Sequence, residues 1–116
     1  PIAPAGVAVA ADAKMVFLAG SISSVEGDMT AQATSALEAL EARVEQVGGT
    51  LGDLVHLRAY IAEGDSKTLD TRIAAWEALY RETFSGKNAP ALTTLPVDSI
   101  VGEGMIELEG AAAIRP

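Results

Sequence analysis

The sequence predicts a single α+β domain spanning residues 1–116, with element order ββαβαββ and two helices on one face of a mostly antiparallel sheet. Three observations lead there. Two stretches repeat their apolar residues at helical spacing, several short runs have the alternation of strands, and 116 residues suffice for only one core.

The first helix is the clearest element. Ala33, Leu37, Leu40, Val44 and Val47 recur at three- and four-residue steps, so Met29 to Val47 carries one apolar helical face. Asp28 stands where a capping carboxylate can accept from the first free N–H groups, and Gly48-Gly49 can end the helix. The second helix is expected from Lys67 to Phe84, with Leu69, Ile73, Trp76 and Tyr80 on one side. Asp65 or Ser66 is its cap, and Ser85-Gly86-Lys87-Asn88 breaks it.

The strands follow from alternation and turns. Gly6–Ala10 and Met15–Ala19, separated by Ala11-Asp12-Ala13-Lys14, predict a hairpin, followed by a loop from Gly20 to Gly27. From Val55 to Ala62, Val55, Leu57, Ala59 and Ile61 alternate with His56, Arg58 and Tyr60, a strand with one apolar and one bulky polar face. Ala91 to Leu95 and Gly104 to Ala113 complete the set. With both helices on one face, the other must meet solvent or another subunit. Strands rich in Ala and Val make a poor solvent face, so clefts between subunits are the expected sites.

Composition supports self-association and narrows the partners. The chain is 49% hydrophobic but only 4% aromatic, with a mean hydropathy of +0.27. A domain of this size buries roughly 65% of its unfolded surface, and one so apolar is expected to hide more in a homo-oligomer. The net charge of −8 argues against nucleic-acid and anionic-membrane binding, which need clustered Lys and Arg. The absence of Cys excludes disulfides, thiolate nucleophiles and thiolate metal sites, and a single His, His56, argues against zinc. Pro1-Ile2-Ala3-Pro4 does not open a secretory leader, and no run approaches the roughly 20 apolar residues of a membrane span. A cytoplasmic protein with a small-molecule ligand is expected. Ser21, Ser23 and Ser24 have no His-Asp partners that the sequence places, which disfavours a serine nucleophile.

Four stretches, in order over about 100 residues, resemble the Rid (YjgF, reactive intermediate deaminase) family. They are Met15-Val16-Phe17-Leu18-Ala19-Gly20-Ser21-Ile22, Ala31-Gln32-Ala33 through Leu37, Leu51 through Leu57, and Met105-Ile106-Glu107-Leu108-Glu109-Gly110-Ala111. The resemblance implies a chorismate-mutase-like homotrimer with sites in the clefts between subunits. It also implies hydrolysis of an imine, formed from an enamine such as 2-aminoacrylate, to a keto acid and ammonia, with no metal or organic cofactor. In that family an Arg after a Pro-Ala step grips the substrate carboxylate, and a Glu on the last strand helps to activate water.

Carried over residue by residue, the resemblance makes Glu107 the water-activating carboxylate and Gly20 the pocket glycine. It also places Leu92, in Pro90-Ala91-Leu92-Thr93-Thr94, where the Arg should be. Ala19 stands for a pocket Ser, and the pocket Tyr falls near Gly6. No Arg lies between Arg81 and Arg115, so a register slip cannot restore the clamp. The candidate site is therefore Glu107 as catalyst, with Gly20, Ser21, Leu92, Thr93, Thr94 and Arg58 around the substrate.

Each candidate has a plainer reading beside the functional one. Glu107 and Glu109 can simply line the exposed face of a strand, Leu92 can be core, and Thr93 and Thr94 can be strand packing. Arg58 is either a replacement cation or the partner of a carboxylate across an interface. Two functions stand: an imine or enamine deaminase-type hydrolase, and a non-catalytic trimer that binds a small metabolite of low negative charge. RNA cleavage is disfavoured by the charge.

Overall fold

Four strands and two long helices form in the computed structural model, which describes residues 2–85 and 88–116. In chain order they are β1 (Lys14–Ile22), α1 (Met29–Gln46), β2 (Leu54–Ala62), α2 (Ser66–Thr83), β3 (Ala91–Val97) and β4 (Ile106–Ile114), with a short 3-10 turn at Leu51–Asp53 leading into β2. Among the described residues no helix is long and apolar enough to cross a membrane.

Both helices begin on the expected carboxylates. Asp28 accepts from the Ala31 N–H at 2.9 Å and Asp65 from the Thr68 N–H at 2.7 Å. The Thr68 N–H holds the Asp65 carboxyl below its ordinary pKa, because the bond stabilises the charged form. At the end of α1, Gly48 takes a φ of +88°, which suits glycine. Its N–H donates to the Glu45 carbonyl and that of Gly49 to the Val44 carbonyl, so both bonds engage carbonyls at the helix end. Of the expected break after α2, Gly86 and Lys87 lie outside the described residues.

The sheet order is β1-β4-β2-β3. β4 runs antiparallel to both β1 and β2, whereas β2 and β3 are parallel because α2 carries the chain back between them, so the sheet is mixed. Two expectations need correction. Gly6–Ala10 forms no strand, leaving βαβαββ in the single chain. Its small side chains offer little burial against an edge strand to offset the entropy of ordering it, and Val7 and Val9 stay exposed. The loop expected from Gly20 begins later, because β1 continues to Ile22 through a register shift between Leu18 and Ser21.

The core lies between the sheet and the helices. Leu18, Leu57, Ile61, Ile106 and Leu108 meet Ala33, Leu37, Leu40 and Val44 of α1 and Trp76 and Tyr80 of α2. Trp76 and Tyr80 also fix the strand beside them. The Tyr80 hydroxyl donates to the Pro90 carbonyl at 2.6 Å, and Trp76 Nε1 donates to Thr94 Oγ1 at 3.3 Å. Thr94 and Leu92 therefore turn toward the helices, while Thr93 and Leu95 turn outward. Among the described residues no helix covers this outward face, and Phe17 on β1 is 82% exposed there.

Candidate functional site

β4 pairs on both sides, and its alternation sorts the acidic residues from the core. Ile106 and Leu108 point into the helix layer, so Glu107 and Glu109 stand on the open face. The register with β2 sets Tyr60 opposite Glu107 and Arg58 opposite Glu109.

The two carboxylates have different surroundings. Arg58 Nη1 donates to Glu109 Oε1 at 2.9 Å, and the Tyr60 hydroxyl donates to the same oxygen. Those bonds, first that from Tyr60 and then that from Arg58, hold the Glu109 carboxyl below its ordinary range. The reciprocal bond raises the pKa of Tyr60 and keeps its proton in place. Glu107 makes no hydrogen bond or ion pair among the described residues. It lies over the backbone of β1 at Gly20, where a Cβ would stand 2.0 Å from Glu107 Oε2. The glycine leaves the space that the carboxylate occupies.

A shallow cavity of about 350 Å³ opens beside it, with Glu107, Glu109 and Tyr60 on the sheet side. Val97 at the end of β3 and Ser99, Ile100 and Val101 of the following loop form the other wall. A larger cleft of about 720 Å³ lies elsewhere, between the N-terminal segment and the start of β2. It lacks Glu107, and its one acidic lining residue, Asp53, is occupied by the Thr50 N–H at 2.8 Å. Among the described residues no three His, Cys, Asp or Glu side chains gather to hold a metal.

The structure divides the residues singled out in the sequence. Glu107 and Gly20 come together on the open face, and Arg58 shares that face but pairs with Glu109. Thr93 shares that face, with its hydroxyl 3.4 Å from His56 Nε2. Leu92 packs against the core, and Thr94 accepts from Trp76. Ser21 is buried on the helix side, where its hydroxyl accepts from Arg43 Nε at 2.9 Å. The register shift in β1 puts it there. Tyr60, Glu109 and the Val97–Val101 wall were not among the candidates. Alternation alone placed Tyr60 with Arg58 and Glu109 with Glu107, but only the β2–β4 register joins the two pairs.

An unpartnered carboxylate beside a phenol and an apolar wall can orient or deprotonate a water molecule against a small bound electrophile. Among the described residues no cation lines the cavity.

Comparisons agree on the kind of protein. The sequence model of the family described as Endoribonuclease L-PSP matches residues 3–114. Among solved structures, a member of the YjgF/YER057c/UK114 family from Mycobacterium tuberculosis is 28% identical, with a TM-score of 0.74 over 86% of this chain and 79% of that one. The YjgF gene product of E. coli is 27% identical, with a TM-score of 0.75 over 97% and 94%. The yeast protein YEO7 has a TM-score of 0.78 over 97% and 93% at 24% identity, a likeness of fold. No curated protein matches the sequence.

Proposed function

The chain belongs to the Endoribonuclease L-PSP family, that of YjgF and its Rid relatives, and from that premise we propose that it is a small-molecule hydrolase of the deaminase type, acting on an imine, enamine or related C–N compound. The observation that carries this reading is the unpartnered Glu107 carboxylate, seated over Gly20 and facing the cavity. Glu107 takes a proton from water as the water oxygen bonds to the C=N carbon. The nitrogen gains protons, the carbinolamine loses its C–N bond, and a carbonyl compound and ammonia leave. The reaction as written needs no metal or organic cofactor.

The working form is a homotrimer in which a neighbouring subunit closes the cavity. The uncovered sheet face with exposed Phe17, Met15 and Leu95 supports self-association. A net charge of −8 favours a small ligand over RNA. The test is ammonia release from a panel of imines, including those generated from 2-aminoacrylate, by wild type and Glu107→Gln. Turnover that fails in the variant supports the proposal; equal activity, or inertness of both, removes it.

A second reading, a non-catalytic trimer that binds a metabolite, is favoured by one observation. Leu92, which the resemblance puts at the position of the family's carboxylate-gripping Arg, packs against the core. Ligand-dependent thermal shifts without product formation would support it, and no response across a broad metabolite panel would count against it.

A further inference from the structure

Glu107 is seated by an irregularity in β1. Leu18 pairs with Gly110 and Ser21 with Leu108, so Ala19 and Gly20 together stand opposite Glu109. That extra residue reverses the alternation. Continued without it from Leu18, β1 would set Gly20 opposite Leu108 and facing the helices. Ser21 would then stand opposite Glu107 on the open face, where paired side chains lie about 5 Å apart. The carboxylate would lose its glycine seat and gain a hydroxyl neighbour. With the bulge, Gly20 lies beneath Glu107, a Cβ there falling 2.0 Å from Oε2, and Ser21 turns to the helix side at 1% exposure.

A hydroxyl buried there needs a partner. Arg43, in the last turn of α1, supplies it. Its Nε donates to Ser21 Oγ at 2.9 Å, and its Nη2 makes a longer contact to the Gly20 carbonyl at 3.5 Å. Among the described residues no carboxylate pairs with Arg43. The side chain is exposed, so its remaining N–H groups reach water and the bond to Ser21 buries no full charge. One guanidinium thus holds both the residue that the bulge turns inward and the residue that it brings under Glu107. Both contacts join β1 to α1 within one chain, so they do not depend on what covers the open face.

We propose that Arg43 is a positioning residue: by holding Ser21 and the Gly20 carbonyl it selects the bulged register of β1 and so sets the Glu107 carboxylate, to which it makes no hydrogen bond or ion pair. The effect on turnover rests on the hydrolase reading, whereas the effect on register does not.

The experiment compares the full chain as wild type, as Arg43→Met and as Arg43→Met combined with Ser21→Ala, by NMR and by imine hydrolysis. Methionine keeps an apolar stem and removes both donors. Alanine in place of Ser21 has no hydroxyl to satisfy and suits the apolar helix side. The register is read from the nuclear Overhauser contact between the Gly20 Hα and Glu107 Hγ protons. In Arg43→Met that contact is expected to fall by about half or more, since a hydrogen bond to a charged group shifts such an equilibrium by about tenfold or more. Ammonia release is expected to lose about tenfold or more in kcat with KM changed by less than about twofold, because the carboxylate moves while the cavity walls remain. Adding Ser21→Ala is expected to restore the contact and the rate, which a loss of general stability would not allow. An Arg43→Met protein that keeps the full contact, or a loss of contact or of fold that Ser21→Ala does not reverse, would overturn the proposal. Its fate separates from that of the hydrolase. A register change that leaves ammonia release untouched, or inertness of wild type on every imine, sinks the hydrolase and leaves the positioning role. Glu107-dependent turnover in an Arg43→Met protein with its contact unchanged does the reverse.

Discussion

Substituting Gly20 by alanine should separate activity from stability. The added Cβ would stand 2.0 Å from Glu107 Oε2 and 3.0 Å from Cδ, against an ordinary contact distance beginning at 3.4 Å. The carboxylate oxygen must therefore retreat by about 1.4 Å, the difference between the two. A reacting group misplaced by about 1 Å can lose on the order of 100-fold in rate, and ammonia release from imine substrates is expected to fall by about that factor. The fold should not suffer. Gly20 has no positive φ, so alanine fits its backbone, and Gly→Ala within a strand is worth roughly 0.5–1 kcal/mol in the stabilising direction. Glu107 has no partner to lose and is free to swing outward. Steady-state ammonia release with thermal unfolding on the same preparations makes the test. Near-wild-type turnover in Gly20→Ala would refute the claim that Glu107 works from the position seen here, and gross unfolding would refute the structural premise.

Three further outcomes follow from other parts of the molecule. Phe17→Glu should convert the proposed trimer of about 36 kDa, three times 11.9 kDa, into monomer by light scattering, since burying each Phe17 is worth about 2 kcal/mol; an unchanged mass would remove Phe17 from the proposed interface. Tyr80→Phe leaves the buried Pro90 carbonyl without its 2.6 Å donor and should cost about 1–3 kcal/mol in urea unfolding, through the midpoint rather than the slope. In acid, the bonds from Tyr60 and Arg58 lower the Glu109 pKa in the folded chain, so the unfolded chain takes up the proton first. That stabilisation is complete above the unfolded glutamate pKa of about 4.3 and is lost as pH falls through the lower folded value. Glu109→Gln should flatten this acid limb, and an unchanged limb would contradict the assignment.

The helices were legible because periodicity and capping are local. Asp28, Asp65 and Gly48-Gly49 act at the positions where the residue pattern put them. Side-chain alternation likewise separated Leu57, Ala59 and Ile61 from Arg58 and Tyr60. What depended on register was not legible. The bulge after Leu18 carries Ser21 from the expected pocket to the underside of α1, and no local pattern announces it. The pairing of Arg58 and Tyr60 with Glu109 links residues about 50 positions apart through the β2–β4 register. The first hairpin arm was over-read for a different reason. Gly6–Ala10 has the composition of a strand but too little side chain to hold an edge on its own. Leu92 had two readings open, and α2 decided its direction by anchoring Pro90 and Thr94.

The central claim is that two glutamates on one strand face have different work, Glu107 with water and substrate, Glu109 with Arg58 and Tyr60. The most direct test is the rate of ammonia release by Glu107→Gln relative to Glu109→Gln under identical imine supply. General acid–base participation is worth about 10²–10⁴-fold. Glu107→Gln is therefore expected to fall by at least about 100-fold and Glu109→Gln by less than about tenfold. Equal losses, or a greater loss in Glu109→Gln, would contradict it.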